Sequence, residues 1–367
     1  MSRRTVALVH ERFTEVAGSE QVVAQLSAEF PDAAVHAPIA RPSGVPPQLA
    51  RPPVTTWVDQ LYRRSGRRSY APLLPLLPGA FRGMSLRGAD VVVASHHAFA
   101  TQVVHATDAP VLAYVHSPAR WAWDAQLRRG EAGGAVGTLA LNALSARTRR
   151  HELVASARLA VVVANSTAVA QRIQRCWRRS ATVVHPPVDT EFYTPDPSVP
   201  REGFVLLAGR LVSYKRPDLA VRAAERAGIA LVVAGDGRAM ERCVQLAGPH
   251  TTFLGRVSDE RLRDLHRRAS AVLLPGVEDF GIVPVEAMAC GTPVLALDDG
   301  GATDTVVPGV TGLRVPAGTD DDVVTGFAAA LREHQFSDYD PVVIRRHAEQ
   351  FSRAAFRSRM RELVQAL

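Results

Sequence analysis

Residues 271–297 read AVLLPGVEDFGIVPVEAMACGTPVLAL, and the rest of the chain falls into place around them. Ala271–Pro275 is a short apolar run ending in Pro-Gly, the signature of a buried strand breaking into a loop. Glu278 sits in that loop. Phe280, Gly281 and Ile282 lead into a helix with Pro284 near its first turn and Gly291 past its end. Glu286 is expected in the first helical turn, and Thr292–Leu297 is the next apolar strand. A strand, a glycine-bearing loop and a helix N-terminus present free N–H groups and a positive dipole end, which suit an anionic phosphate. The two carboxylates at the same spot would repel a bare phosphate. The expected ligand therefore carries hydroxyl donors on both sides of its charge, and a nucleotide sugar meets that description.

The chain of 367 residues is long enough for two domains, each with its own core. Its 47% hydrophobic and 22% charged content is that of a soluble globular protein. Val6–Val9 is followed by His10 and Glu11 and is too short for a signal-peptide core, and no apolar run reaches the ~20 residues of a membrane span. Cys176, Cys243 and Cys290 are odd in number and far apart, so neither a disulfide framework nor a zinc site is indicated and a reduced, cytoplasmic compartment is expected. The charge is unevenly shared, +10 over residues 1–190 and −3 over residues 191–367. The basic half is expected to meet an anionic partner, and composition does not choose among nucleic acid, membrane and a phosphate-bearing substrate. Of 43 basic residues only Lys215 is lysine. Either it survives by chance in a composition that prefers arginine, or its position needs a compact ammonium.

Strands and helices alternate along the whole chain. Thr5–His10 is a strand, residues 13–19 a loop containing Gly18, and Glu20–Phe30 a helix. Residues 38–53 carry six prolines and read as an irregular connection. In 61–88, Arg63, Arg64, Arg67 and Arg68 interleave with Tyr62 and Tyr70, and Leu73, Leu74, Leu76 and Leu77 are broken by Pro72, Pro75 and Pro78. This stretch fits docking on an anionic membrane surface, and equally a solvated loop with a buried leucine anchor. Strands Asp90–Ala94 and Val111–Val115 end at Ser95-His96-His97 and His116-Ser117, the position where open α/β sheets bind ligands. A long helix over 136–158 and strands Leu159–Ala164 and Ala181–His185 close this half, and Thr194–Glu202 is a proline-stiffened linker. The second half repeats the alternation, with strands Phe204–Ala208, Ala230–Ala234 and Thr252–Leu254 and helices Arg216–Arg226 and Asp259–Arg268. Pro308–Gly318 reads as turn-rich, with helices over about 320–334 and 341–366 at the end. Two parallel α/β domains facing one another across a cleft are expected.

Several motifs are excluded. The single lysine follows Tyr214, so there is no Walker-type phosphate loop. Gly235-Asp236-Gly237 has Met240 where a dinucleotide fingerprint needs its third glycine. His151-Glu152 has Ala155 in place of a second zinc-binding histidine, and no GxSxG elbow occurs.

Taken together, Gly209-Arg210-Leu211 with Lys215, Gly235-Asp236-Gly237, and Glu278-Asp279-Phe280-Gly281 with Glu286 resemble the retaining nucleotide-sugar glycosyltransferases of family 4, which have the GT-B fold. In the first half AGSEQVV (17–23), YVHSP (114–118), Trp123-Asp124 and NST (165–167) share the resemblance, and HPPVDTEFY (185–193) resembles the entry to that family's interdomain linker. The resemblance implies an acceptor-binding Rossmann-like domain over 1–193 and a nucleotide-sugar domain over 203–340. It also implies a C-terminal helix, about 341–367, that packs back on the first domain.

The implied roles follow the same residues. Arg210 and Lys215, with Gly209, would hold the donor diphosphate, Glu286 the ribose hydroxyls, and Glu278 the sugar ring. Backbone N–H groups of Phe280, Gly281 and Ile282 would hold sugar and phosphate, and the base would lie near Arg256-Val257. His116 is similar to the family's N-domain histidine near the reaction centre, and Gly18 and Ser19 to its phosphate loop. The catalytic set implied is His116, Glu278, Arg210 and Lys215, with no metal and no cofactor beyond the co-substrate. Retention is implied to proceed by front-face attack, the leaving phosphate helping to deprotonate the acceptor. The combination of YVHSP, EDFGIVPVEA and Gly300-Gly301-Ala302 looks most like GDP-mannose-dependent mannosyltransferases of polysaccharide or glycolipid assembly. The implied acceptor is a lipid-linked or polysaccharide saccharide, and the implied location the cytoplasm, at the inner face of the membrane if 61–88 docks there. QLRRGEAGGAVG (126–137) has no assignable feature. A UDP-sugar donor is the alternative, as is an epimerase using His96, His97 and His116 as acid and base. Nucleic acid is not an expected partner, because aromatic content is only 6% and no binding motif occurs.

Overall fold

The computed structural model describes residues 4–66, 69–124 and 134–367, so Arg67, Arg68 and residues 125–133 lie outside the description, and with them most of QLRRGEAGGAVG. The chain divides into two compact units, Met1–Pro187 with Phe356–Leu367, and Val188–Ala355.

The first unit holds seven parallel strands: β1 (Val6–His10), β2 (Ala34–Ala37), β3 (Val54–Thr55), β4 (Val91–His96), β5 (Val111–Val115), β6 (Val161–Ala164) and β7 (Thr182–Val183). Their order is β3-β2-β1-β4-β5-β6-β7. The strands are almost unbroken runs of valine and alanine because both faces are covered. Val6 and Leu8 join Val91 and Val93 on one face, while Ala7 and Val9 join Val92 and Ala94 on the other.

The second unit holds β8 (Phe204–Ala208), β9 (Ala230–Ala234), β10 (Thr251–Gly255), β11 (Ala271–Leu274), β12 (Val294–Leu297) and β13 (Gly312–Val315). Their order is β10-β9-β8-β11-β12-β13, again all parallel. Each sheet grows in both directions from its first strand. The order therefore reverses between β1 and β4 in one unit and between β8 and β11 in the other, and ligands collect beyond the carboxyl ends of strands at such points.

Two expectations are corrected here. The stretch 341–366 is two helices, Pro341–Glu349 and Arg353–Gln365. The chain between them leaves the helix so that Val188 N–H can donate to the Phe351 carbonyl at 2.9 Å and Phe351 can bury against Phe280, 5.6 Å between ring centres. Residues 341–355 accordingly belong to the second unit, and only 356–367 belong to the first. There Phe356, Met360 and Val364 bury one face of the last helix beneath Leu8 and Tyr114, and Arg357 donates to Gln25 at 3.2 Å. Second, Pro308–Gly318 contains β13, which pairs with β12. Of the two readings of 61–88, the leucines fit the buried anchor: Leu77 is buried in the core, Leu73 and Leu74 pack against it, and Leu76 alone of the four is exposed. Among the described residues no helix is long and apolar enough to cross a membrane.

Candidate functional site

In the second unit, chain leaving β8 turns at Gly209 (φ +118°). The Gly209 N–H donates to Ala234 at 3.0 Å and the Leu211 N–H to Asp236 at 2.9 Å. Backbone lies directly on backbone here. A Cβ on Gly235 (φ +144°) would stand 1.9 Å from the Gly209 carbonyl oxygen. The Gly-Asp-Gly run is thus a support for the Gly209–Leu211 loop. Gly235→Ala should destabilise this unit by at least ~2 kcal/mol and weaken whatever the loop binds; an unchanged melting temperature would contradict the packing.

Beyond Leu211 a single 3-10 turn, Ser213–Lys215, leads to Arg216 in the left-handed region at φ +51°. That backbone is unfavourable for a residue with a Cβ by roughly 1 kcal/mol or more. It is held by the Arg216 guanidinium, which donates to both oxygens of Asp320 (2.8 and 2.6 Å) and to Asp218 (3.2 and 3.1 Å). The turn aims Lys215 at the loop after β11, where its ammonium lies 3.0 Å from Glu278 Oε1, both side chains largely shielded from solvent. The loop passes so close that a Cβ on Gly276 would be 2.5 Å from the Lys215 Cα.

Gly281 (φ +88°) caps the helix Ile282–Ala289 without a side-chain bond. Among the described residues, the N–H groups of Gly281, Ile282 and Val283 have no protein acceptor, and Pro284 has no N–H to satisfy. Those donors sit beside the Lys215–Glu278 pair at the β8/β11 reversal. Glu286 is the fifth residue of the helix, a turn later than expected. Its side chain keeps a little solvent contact yet is deeply set, and burial pushes its carboxyl up to about 8, with Asp259 and Asp189 adding to the effect and Lys215 opposing it. Phe280 is a packing residue whose ring rests on Phe351, so only its backbone faces the site. Val257 lies half-buried just past β10, and Arg210 is exposed just past β8.

Gly18 and His116 belong to the first unit. Gly18 is the first residue of the helix Gly18–Glu29. Its capping box is completed by Glu20, whose carboxylate accepts the Ala17 N–H at 3.0 Å and the Ser19 hydroxyl at 2.9 Å. His10 ends β1 opposite Ser95 of β4, and His116 follows β5. The four side chains form one line: Glu20 Oε1 to His10 Nε2 3.2 Å, His10 Nδ1 to Ser95 Oγ 3.1 Å, Ser95 Oγ to His116 Nε2 2.9 Å. Burial, with the neighbouring His10 adding to it, depresses His116 to about 3, so it is neutral at pH 7. His97 stacks on it with ring centres 4.4 Å apart. Glu11, fully buried, accepts the N–H groups of Phe99 (3.0 Å) and Ala100 (3.0 Å) and so fixes the loop after β4. His96 has both ring nitrogens occupied, Nε2 by Glu152 at 2.9 Å and Nδ1 by the Thr101 N–H at 3.3 Å. Both of its ring nitrogens are thus engaged within the first unit.

Sequence reasoning passed over His10, Glu11 and Glu20, and marked Ser95 only as one residue of a strand end at the ligand-binding position. For His10 and Glu11 the one available signal was their place at the carboxyl end of β1, and Glu20 lies in the helix that follows. Among the described residues no group of three or more His, Cys, Asp or Glu is placed to hold a metal ion. The three cysteines are free.

The two units define a class: a pair of doubly wound parallel domains with sites at their strand ends, the GT-B arrangement. Residues 16–192 match Glycosyltransferase Family 4 and residues 191–348 match Glycosyl transferases group 1. The chain belongs to the family 4 glycosyltransferases of GT-B fold. It is 36% identical over 184 residues to a D-inositol 3-phosphate glycosyltransferase of Mycobacteroides abscessus, a match that spans 41% of this chain and 42% of that protein. It is 35% identical over 148 residues to an uncharacterised glycosyltransferase of Methanocaldococcus jannaschii, 38% of either chain. Among solved structures, HepE of Anabaena in complex with UDP and glucose superposes with a TM-score of 0.70 over 100% of both chains at 17% identity. Sucrose-phosphate synthase from Thermosynechococcus elongatus gives 0.71 over 99% of each chain at 19% identity.

Proposed function

We propose that this chain is a retaining glycosyltransferase that moves a hexose from a nucleoside-diphosphate sugar to a saccharide acceptor. The observation that carries this is the Lys215–Glu278 pair set beside three undonated N–H groups at the β8/β11 reversal. An ammonium and a helix N-terminus complement a diphosphate, and the exposed Arg210 adds a guanidinium beyond β8. As negative charge grows on the leaving phosphate, these fixed donors stabilise it without reorganising. Glu278, released from Lys215, accepts from the sugar hydroxyls, and Glu286 accepts from the ribose. His116 is a neutral hydrogen-bonding group at a strand end of the first unit. No bound metal has a part in this reading.

For the donor we read GDP-mannose, from the likeness of YVHSP, EDFGIVPVEA and Gly300-Gly301-Ala302 to enzymes of that kind. A UDP-sugar is the second reading, favoured by the UDP and glucose bound to HepE. For the acceptor we read a lipid-linked or polysaccharide saccharide. The likeness to D-inositol 3-phosphate glycosyltransferases adds a phosphorylated cyclitol as a competing acceptor. A cytoplasmic enzyme at an anionic membrane would touch it through exposed Arg63, Arg64 and Leu76 rather than through a leucine patch.

Thermal-shift titration with GDP-, UDP- and ADP-sugars tests the donor. The true donor at 100 times its dissociation constant should add ~2.7 kcal/mol of stability, and GDP-mannose is expected to give the largest shift. A larger shift with a UDP-sugar would transfer the reading to that donor. No shift with any nucleotide sugar, together with no transfer, would end it.

A further inference from the structure

Arg12 is the second residue past β1 and His97 the first past β4, so the two stand at the carboxyl ends of neighbouring strands, where the order of the first sheet reverses. Both keep some contact with solvent, and the charge of Arg12 is felt at His97. Arg12 is a cation without an anion. Among the described residues it makes no hydrogen bond and no ion pair, and its Nε is buried with no partner. The guanidinium carbon lies 4.4 Å from the centre of the Tyr70 ring. An aromatic ring offsets part of the cost of shielding the charge, but it leaves the five N–H groups without an oxygen to receive them. The buried carboxylates nearby are engaged elsewhere. Glu11 accepts the N–H groups of Phe99 and Ala100, and Glu20 is held by Ala17, Ser19 and His10. A shielded guanidinium left in this state calls for a partner from outside the chain. His97 adds a second open group. Its backbone N–H donates to Glu11 at 3.3 Å, but neither ring nitrogen has a hydrogen-bond partner among the described residues. Burial, with His116, His10 and Arg12 adding to it, holds the proton affinity of His97 well below the ordinary value. In either tautomer the neutral ring has one N–H to give. A fork of charged donors beside a neutral N–H matches the several oxygens of a phosphoryl group.

We propose that Arg12, with His97 beside it, binds a phosphoryl group of the acceptor at the carboxyl ends of β1 and β4. The anion site lies wholly within the first unit, and only the assignment of its ligand to the acceptor rests on the glycosyltransferase reading. The donor diphosphate is read in the second unit, at Lys215. The acceptor is thereby narrowed to molecules that carry phosphate, either a phosphomonoester on a small polyol or the diphosphate of a lipid carrier. A neutral polysaccharide end is set aside. Tyr70 is a positioning residue, since its ring fixes the guanidinium without using its donors.

Calorimetry on the full chain, with UDP or GDP in excess to fill the donor site, tests this with two probes. Inositol monophosphate is compared with inositol, and geranyl diphosphate with geraniol. At least one phosphorylated probe should bind about tenfold or more tightly than its neutral parent. The one that does tells whether the phosphoryl group arrives on a polyol or on a prenyl carrier. Arg12→Gln should abolish that preference while binding the parent and the nucleoside diphosphate as the wild type does. Arg12→Lys keeps the charge without the fork and should recover only part of it. His97→Phe, which keeps a ring against His116, should weaken the phosphorylated probe alone, by about fivefold. Arg12→Gln is relieved of a shielded, unpaired charge and should melt no lower than the wild type; a large fall would make Arg12 a packing residue and overturn the proposal. It is overturned equally if neither phosphorylated probe outbinds its parent, if Arg12→Gln keeps the preference, or if that variant weakens nucleoside diphosphate as much as the probe. A chain that binds a phosphorylated probe through Arg12 yet transfers no sugar from any donor would refute the glycosyltransferase reading and leave the anion site standing. Transfer to an unphosphorylated acceptor, with Arg12→Gln as active as the wild type, would do the reverse.

Discussion

Glu286→Gln is expected to make the protein more stable above pH 8 and, at the same time, to make donor binding weak and insensitive to pH. The Glu286 carboxyl ionises near 8 in the folded chain and near its ordinary 4.5 when unfolded. Below about pH 4.5 it is protonated in both states, and its contribution to stability is whole. As pH rises through 8 the folded protein must ionise a carboxyl in a setting that disfavours the charge, and that stability is lost. The loss amounts to roughly 2–4 kcal/mol once residual solvent contact is allowed for. Glutamine has no charge to disfavour, so the variant should gain over the wild type progressively between pH 5 and pH 9 in parallel thermal melts.

Binding runs the other way. Ribose hydroxyls donate hydrogen bonds, and a carboxylate accepts them better than a carboxylic acid does. The donor should therefore bind more tightly as pH approaches 8, by up to about tenfold per unit, and should release a proton when it binds. Calorimetry in buffers of different ionisation enthalpy measures that proton. A wild type that releases none between pH 6 and pH 7 would separate Glu286 from the donor.

Lys215→Ala and Glu278→Ala are expected to cut transfer by at least tenfold each, about 1.4 kcal/mol of transition-state stabilisation, but to differ in what they do to nucleoside diphosphate. In the resting protein the two charges neutralise each other across 3.0 Å. Removing Lys215 leaves a shielded carboxylate facing the place where the phosphates should sit, so binding suffers both from the lost cation and from the carboxylate left behind. Removing Glu278 frees the ammonium without any need to break an ion pair first. Binding of the product diphosphate should then be unchanged or tighter while kcat collapses. Lys215→Arg should not rescue, because the planar guanidinium cannot present a compact point charge beside Glu278. Equal weakening of diphosphate binding in both alanine variants would place Glu278 on the phosphate side of the ligand.

The sequence was most legible where apolar runs coincide with strands. Phe204–Ala208, Ala230–Ala234 and Val111–Val115 have the expected bounds, because a strand covered on both faces leaves no ambiguity of pattern. Short or weakly apolar strands escaped: Ala34–Ala37 and Val54–Thr55 carry too few residues to show a period, and β13 hides among turn residues. The break at 350–352 has no glycine or proline to announce it. It comes from a pairing with Val188, more than 150 residues away in sequence. In the site, the residues around Glu278 and Lys215 were visible through motif spacing. Their ion pair was not, since spacing says nothing of which charges meet before a ligand arrives. The line from Glu20 to His116 joins residues 10, 20, 95 and 116, and only the sheet order puts them side by side.

The final helix has a consequence for how the protein is made. Phe356, Met360 and Val364 fill one face of the first sheet, although 168 residues of the second unit, Val188–Ala355, emerge between them and the rest of that unit. A nascent chain cannot finish its first core when the first 187 residues have left the ribosome. The intervening unit, continuous in sequence, can close before the unit that precedes it. Until then Leu8, Val93 and Tyr114 lack their apolar cover, and the growing chain carries an exposed, valine-rich surface through much of its synthesis. A chain cut after Pro187 would be left permanently in that condition, and should depend on chaperones or aggregate rather than behave as an independent domain.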